Sequence, residues 1–343
     1  MSRTERVIAL RADGSTRIGS GHVMRCVAVA EELLARDQRP VLIGSFEGVG
    51  WLRHAVAGLD LPVVPAPTTA RDLTRVLRSL AVDATVVDAH HLGPEHYIAA
   101  RRTGPVIALC DGVTPLASVD AIIDPARSST VRSDSLTVTG PSYAPIRRAV
   151  LEYRPRGTPL RSGLDRGHVL VVAGGTDPTD AAPFLAQTLL SARLVRTLTV
   201  VSPRKLVTKD PRLEVRQPGP DLPALIRSAD VTVSAAGNVI WELCALAAPS
   251  VVVVTVENQV QPHDRAVCAG VAHGLGSMSE IRRRPALLID VTEAMLEDGA
   301  RRTTMAARGW RLVDGRGVSR IVDLVDELVG RPSATRHRSD IDV

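Results

Sequence analysis

Aromatic residues make up only 2% of this 343-residue chain: three Trp, three Tyr and two Phe. So little ring surface leaves few platforms for stacked bases and argues against nucleic acid as a partner. It also means that any core is built from Val, Leu, Ala and Ile, a mix suited to parallel sheets covered by helices. Cysteine is scarce as well. Cys26, Cys110, Cys244 and Cys268 lie far apart and form no CxxC, which argues against a disulfide framework or a structural zinc site. Cys26 and Cys244 fall on apolar helix faces, where a buried free thiol is the default. No apolar run approaches membrane-spanning length and no apolar signal region opens the chain, so a cytoplasmic location with no membrane span is expected. The net charge of +5 is modest, and the positive charges are mostly arginines spread along the chain. Scattered arginine suits a phosphate-bearing small substrate. No coiled coil or unusual apolar face is visible, and a monomer is expected.

The length suits two domains. Apolar runs of strand length alternate with helical periodicity from Val7 onward: Val7–Leu10, Pro40–Gly44, Pro62–Pro65, Asp83–Asp88, Pro105–Asp111 and Ala121–Asp124 read as strands. Such alternation predicts an α/β fold with a parallel sheet. From Gly140 to Gly167, proline, glycine and arginine accumulate and the periodicity stops. A second series of strands and helices then opens at His168. The expected organisation is an N-terminal α/β domain over 1–150, a linker over 151–167, a C-terminal α/β domain over 168–330 closed by an amphipathic helix at 318–329, and a polar, disordered tail over 331–343.

The stretch from Val7 to Arg25 reads as strand, glycine-bearing loop and helix. Gly19 and Gly21 allow tight turns and close approach of a ligand. His22 falls in the first helical turn, where the helix dipole favours neutral imidazole, a suitable state for a general base. A polar surface histidine is the plainer reading. The same pattern also opens dinucleotide-binding units, but Met24 stands where their third glycine belongs. Asp13, Asp88 and Asp111 each follow a strand, where the ligand crevice of a parallel sheet lies; helix capping is the alternative.

In the second half, Gly174-Gly175-Thr176-Asp177 and Ser234-Ala-Ala236-Gly237-Asn238 follow successive strands. Glycine-rich loops leading into helices bind anions, and a diphosphate is the natural occupant. Glu242, one turn into the second of those helices, is placed to accept bonds from ribose hydroxyls. A tight turn capped by Asn238 is the structural alternative.

Taken together and in order, these stretches resemble a known family. Arg11-Ala-Asp13 with Gly19-Ser-Gly21-His22-Val-Met-Arg25, Val87-Asp88 with Leu92, Gly140-Pro-Ser-Tyr143-Ala-Pro-Ile-Arg147, Gly174–Pro178, and Ser234–Gly237 through Trp241-Glu242-Leu243 to Asn258-Gln259 look like the signature of the nucleotide-sugar hydrolases of pseudaminic acid biosynthesis, which act on UDP-2,4-diacetamido-2,4,6-trideoxy-β-L-altropyranose. Spore-coat polysaccharide proteins are relatives, and MurG-type glycosyltransferases are related in fold. The resemblance covers the chain to about residue 280. It implies the GT-B architecture, two facing Rossmann-like α/β domains with a cleft between them.

The resemblance also implies a division of labour. The C-terminal domain would hold a UDP-sugar through Gly174, Gly175, Thr176, Asp177, Ala236, Gly237, Asn238 and Glu242, with Asn258 and Gln259 near the phosphates or sugar. The N-terminal domain would cover the sugar through Arg11, Gly19, Gly21, Arg25, Asp88 and Tyr143. His22 would activate water at the anomeric carbon, with Asp13 and His90 assisting. The chain departs from the pattern where relatives carry a tyrosine: it has Ala89-His90-His91, and His90 can donate a hydrogen bond in its stead. Asp111-Gly112 replaces a paired-acid motif, and Asn238 a small hydroxyl residue. No cofactor is implied, and no metal-ligand cluster is visible. The alternatives are a GT-B glycosyltransferase that moves the sugar to an acceptor, and a non-catalytic nucleotide-sugar or dinucleotide binder.

Overall fold

The apolar runs become buried parallel strands because helices cover both faces of each sheet. The computed structural model describes residues 5–112, 119–127, 135–159, 167–206 and 209–330. In the first half, β1 (Val7–Ala12), β2 (Arg39–Gly44), β3 (Val63–Pro65), β4 (Ala84–Asp88), β5 (Val106–Leu109), β6 (Ala121–Asp124) and β7 (Leu136–Thr139) form a parallel sheet in the order β3-β2-β1-β4-β5-β6-β7. In the second, β8 (His168–Val172), β9 (Thr197–Val201), β10 (Leu213–Arg216), β11 (Val231–Ala235), β12 (Ser250–Val254) and β13 (His273–Ser277) run β10-β9-β8-β11-β12-β13. Both orders reverse beside the first strand of the unit, and a parallel sheet opens its ligand crevice at that reversal. Register sharpens the point. Ala12 lies opposite Asp88, and Val172 opposite Ser234. The loops after β1 and β4 therefore leave one sheet together, as do the glycine loops after β8 and β11 from the other.

The connecting helices of the first unit are α1 (Gly21–Ala35), α2 (Gly50–Ala57), α3 (Ala70–Ser79) and α4 (Pro94–Arg101). The chain crosses over through α5 (Arg148–Leu151). The second unit carries α6 (Ala181–Leu189), α7 (Leu222–Ser228), α8 (Val239–Ala245), α9 (Val260–Cys268), α10 (Met278–Arg283), α11 (Pro285–Glu297) and α12 (Gly299–Leu312), and α13 (Gly317–Gly330) closes the described chain. No helix among the described residues is long and apolar enough to cross a membrane.

Two features differ from the sequence expectations. The closing helix, expected within 168–330, packs on the first sheet. Val318, Ile321, Val322, Val325 and Leu328 share a core with Leu10, Val23 and Val27, and each such side chain contributes about 1.5–3 kcal/mol when buried. Arg36, just past the C-terminal end of α1, fixes the contact, reaching Asp323 at 2.6 Å and Ser319 Oγ at 2.7 Å. Periodicity shows that a helix has an apolar face, not which core the face serves. Second, the part of the 151–167 linker that is described is clamped rather than loose. Arg154 donates to the carbonyls of Ala245 (2.9 Å) and Trp310 (2.8 Å), with its guanidinium 4.8 Å from the Trp310 ring. The tail expected over 331–343 lies outside the described residues.

Candidate active site in the cleft

Loops from both units line one cleft. The units touch where Trp51 Nε1 donates to the Gly175 carbonyl at 3.1 Å. A Cβ on Gly175 would meet Trp51 Cζ2 at 2.4 Å and Ser20 Oγ at 2.5 Å, so the approach requires glycine. On the first-unit side, the turn after β1 closes on itself. Gly19 N donates to the Ser15 carbonyl at 2.9 Å, and Gly19 takes φ +92°, a conformation that suits glycine. The turn delivers the chain to the first turn of α1, where His22 is buried yet borders the cleft.

His22 Nδ1 lies 2.7 Å from Asp88 Oδ1. Arg25, one turn along α1, grips the same carboxylate with Nε on Oδ2 (2.7 Å) and Nη2 on Oδ1 (2.6 Å). Its Nη1 lies 3.4 Å from Asp111, and Nη2 comes within 2.9 Å of His22 Nδ1. Burial alone would raise the Asp88 carboxyl pKa, but Arg25 and His22 outweigh it and lower it. Burial likewise works against a charged Arg25, and Asp88 and Asp111 reverse that. With Asp88 ionised, the 2.7 Å contact is a hydrogen bond when the proton sits on His22 Nδ1, which leaves Nε2 as the acceptor nitrogen, whereas Arg25 Nη2, a donor, faces the same Nδ1. The His90 ring stands 4.7 Å from that of His22, and burial together with His22 lowers its pKa.

Asp13, expected to assist catalysis, does not border the cleft. Its Oδ1 accepts from Ser45 N at 2.9 Å; its Oδ2 takes Arg11 Nη2 at 2.7 Å and His91 Nε2 at 2.9 Å. Burial favours protonation, yet these donors hold the carboxyl well below the usual carboxylate range. Both oxygens of this acid are thus engaged by donors of the first unit. Asp13 and the buried Arg11 brace the loops after β1, β2 and β4 instead. Asp88 also stands behind the cleft wall rather than in it. Tyr143, expected near the sugar, packs against the first core next to α13.

On the second-unit side, Gly174, Gly175 and Thr176 line the cleft, as do Gly237, Asn238, Glu242, Asn258 and Gln259. Asp177 does not. Its oxygens accept from Ala181 N (2.8 Å) and Ala182 N (3.0 Å), so it caps α6 and shapes the loop from behind. Ala236 is fully buried in the second core. Asn238 precedes α8 without a side-chain capping bond, and its side chain is left to the cleft. Thr255 holds Gln259 Oε1 from both its amide (2.9 Å) and its hydroxyl (3.0 Å). The Gln259 amide nitrogen then faces the Gly237 loop, 3.7 Å from where a Cβ on Gly237 would stand.

Sequence reasoning missed Arg147 as a site residue, although it ends one of the quoted motifs. It reaches Glu242 with Nε on Oε1 (3.0 Å) and Nη2 on Oε2 (3.2 Å). Trp51, Arg17 and Trp241 also line the cleft. Nothing local in the sequence marks Trp51, because its role depends on contact with a loop 124 residues away.

No family model matches the chain. It is similar to the spore coat polysaccharide biosynthesis protein SpsG of Bacillus subtilis (strain 168), 24% identical over 209 residues. That match covers 58% of this chain and 60% of the relative, so it spans less than two thirds of the relative's length. Solved structures of similar fold include MurG of Acinetobacter baumannii (16% identity, TM-score 0.63, 94% of this chain and 99% of that one). MnaA of S. aureus, in a co-structure with UDP, matches at 13% identity and TM-score 0.65, over 94% and 96%. The spinosyn rhamnosyltransferase SpnG, complexed with thymidine diphosphate, matches at 14% identity and TM-score 0.66, over 93% and 100%. The architecture is GT-B: two parallel α/β units facing each other across a cleft.

Proposed function

We propose that this chain is an enzyme that binds a nucleotide sugar in the cleft and hydrolyses its anomeric C–O bond, with His22 as general base. The observation that carries the proposal is the 2.7 Å contact between His22 Nδ1 and Asp88, in a cleft whose opposite wall is made of glycine loops. His22 Nε2 takes a proton from water as the water oxygen bonds to the anomeric carbon. The electron pair of the broken C–O bond leaves on the diphosphate. The products are a free sugar and a nucleoside diphosphate. Proton removal of this kind is worth about 10²–10⁴-fold.

Backbone amides of the 174–176 and 237–238 loops bind the diphosphate, with the Gln259 amide nitrogen beside them. Glu242, oriented by Arg147 through both carboxylate oxygens, accepts from the ribose hydroxyls. UDP is the expected nucleotide, in keeping with the MnaA complex, and an amino-deoxy sugar the expected glycosyl group. His90 stands beside the base, its ring 4.7 Å away, though outside the residues that line the cleft. The similarity to SpsG fits a place in polysaccharide assembly.

The same base would serve a glycosyltransferase with an acceptor hydroxyl in place of water, a reading favoured by the fold shared with a rhamnosyltransferase. Incubation with a panel of UDP- and TDP-sugars separates the two. The hydrolase releases nucleoside diphosphate and free sugar without acceptor. Release seen only with an acceptor establishes the transferase, and binding without release under either condition overturns both.

A further inference from the structure

Among the described residues, the arginines of the cleft come from one side. Arg17, Arg25 and Arg147 line it from the first 150 residues, whereas its second-unit wall holds no arginine or lysine. Most of that charge is already engaged. Arg25 is gripped by Asp88 and approaches Asp111, and Arg147 holds both oxygens of Glu242. The guanidinium of Arg17 has no ion pair or hydrogen bond with any described residue.

Its position is defined by its backbone. Arg17 sits at the tip of the turn closed between Ser15 and Gly19, and Ser15 Oγ accepts from Arg17 N (3.2 Å) and Ile18 N (3.0 Å). Two residues later the chain meets the opposite glycine loop: a Cβ on Gly19 would lie 3.8 Å from Thr176 Oγ1, and Ser20 Oγ abuts Gly175. The turn that carries Arg17 therefore adjoins the 174–176 loop.

We propose that Arg17 holds the diphosphate of the bound nucleotide from across the cleft and stabilises the charge that develops on it as the C–O bond breaks. The inference rests on the nucleotide-sugar reading above. Backbone amides offer only dipoles, and a departing diphosphate gains a full negative charge at its leaving oxygen. A guanidinium matches that group in charge and in bidentate geometry. Its attraction grows as the bond breaks, so it acts more on the transition state than on the bound substrate.

The test is titration calorimetry of UDP, thymidine diphosphate and uridine into the full chain, its Arg17→Ala variant and its Arg17→Lys variant, with steady-state kinetics alongside. Arg17 is exposed and the turn is closed by backbone bonds, so the variants retain the fold. The expected result is a loss of about tenfold or more in diphosphate affinity for Arg17→Ala, the size of a lost charge-assisted hydrogen bond. Uridine affinity stays unchanged, Arg17→Lys falls between, and kcat drops by a larger factor than KM rises. Diphosphate affinity and kcat equal to those of the unaltered chain overturn the assignment while leaving the nucleotide site standing. Failure of the unaltered chain to bind either diphosphate overturns the site and the assignment together.

Discussion

One wall of the cleft is lined and backed by interlocked polar and charged side chains, the other is built around glycine loops. Along the first-unit wall, His22, Arg25 and the half-buried Asp111 join the buried Asp88 behind them in a chain of contacts between 2.6 and 3.4 Å. On the second-unit wall, Gly174, Gly175 and Gly237 expose peptide groups, and the charged lining residue, Glu242, is neutralised by an arginine from the other half. Side-chain charge at this density fixes the orientation of the imidazole beside it. Exposed backbone suits a diphosphate that must bind, leave and bind again. The contrast teaches that the two sheets, alike in strand order, divide the proposed work by the material of their loops.

The contrast is broken most severely at Asp88. Asp88→Ala leaves the buried Arg25 with no carboxylate nearer than Asp111 at 3.4 Å. A buried charge stripped of its main partner costs about 3–5 kcal/mol, and guanidinium unfolding should show a loss of that order together with loss of turnover. Gly175→Ala forces the walls apart, because its methyl would lie 2.4 Å from Trp51 Cζ2. Overpacking of this kind costs about 1–3 kcal/mol, and diphosphate affinity should fall with it; an unchanged melting temperature and affinity would show that the contact is dispensable.

The smallest effect is in the acid limb. The Asp13 pKa is depressed in the folded state, so its contribution to stability is full above the unfolded value of about 3.9 and is lost as pH falls below it toward the folded value. Between pH 5 and pH 3 that loss is about 1 kcal/mol. Asp13→Asn should flatten this part of the denaturation midpoint plotted against pH, and an equally steep limb would contradict the bracing role.

Legibility in the sequence follows the same divide. Strands β1, β4, β8, β11 and β12 are apolar runs, buried on both faces, and can be read directly. Strands β7 (Leu-Thr-Val-Thr) and β13 (His-Gly-Leu-Gly-Ser) lack such runs and are missed, as are helices α10 to α12. The glycine loops and His22 are legible because strand–loop–helix junctions have local signatures. What each acid does is not. Asp13, Asp88 and Asp177 all follow or end strands, yet one braces loops, one grips a histidine and an arginine, and one caps a helix. Their partners are set by contacts such as the pair His22 and Asp88, 66 residues apart, and by Arg147 with Glu242, 95 apart. Pairings of that range depend on which strands become neighbours, which the topology decides.

The most direct test of the division is the steady-state kinetics of His22→Ala with a hydrolysed nucleotide sugar. If the first wall performs the chemistry and the second holds the nucleotide, kcat for nucleoside diphosphate release falls by about 10²–10⁴, while KM and the affinity for UDP stay within a few-fold of the unaltered chain. An unchanged kcat, or a loss seen only in KM and UDP affinity, would contradict the account.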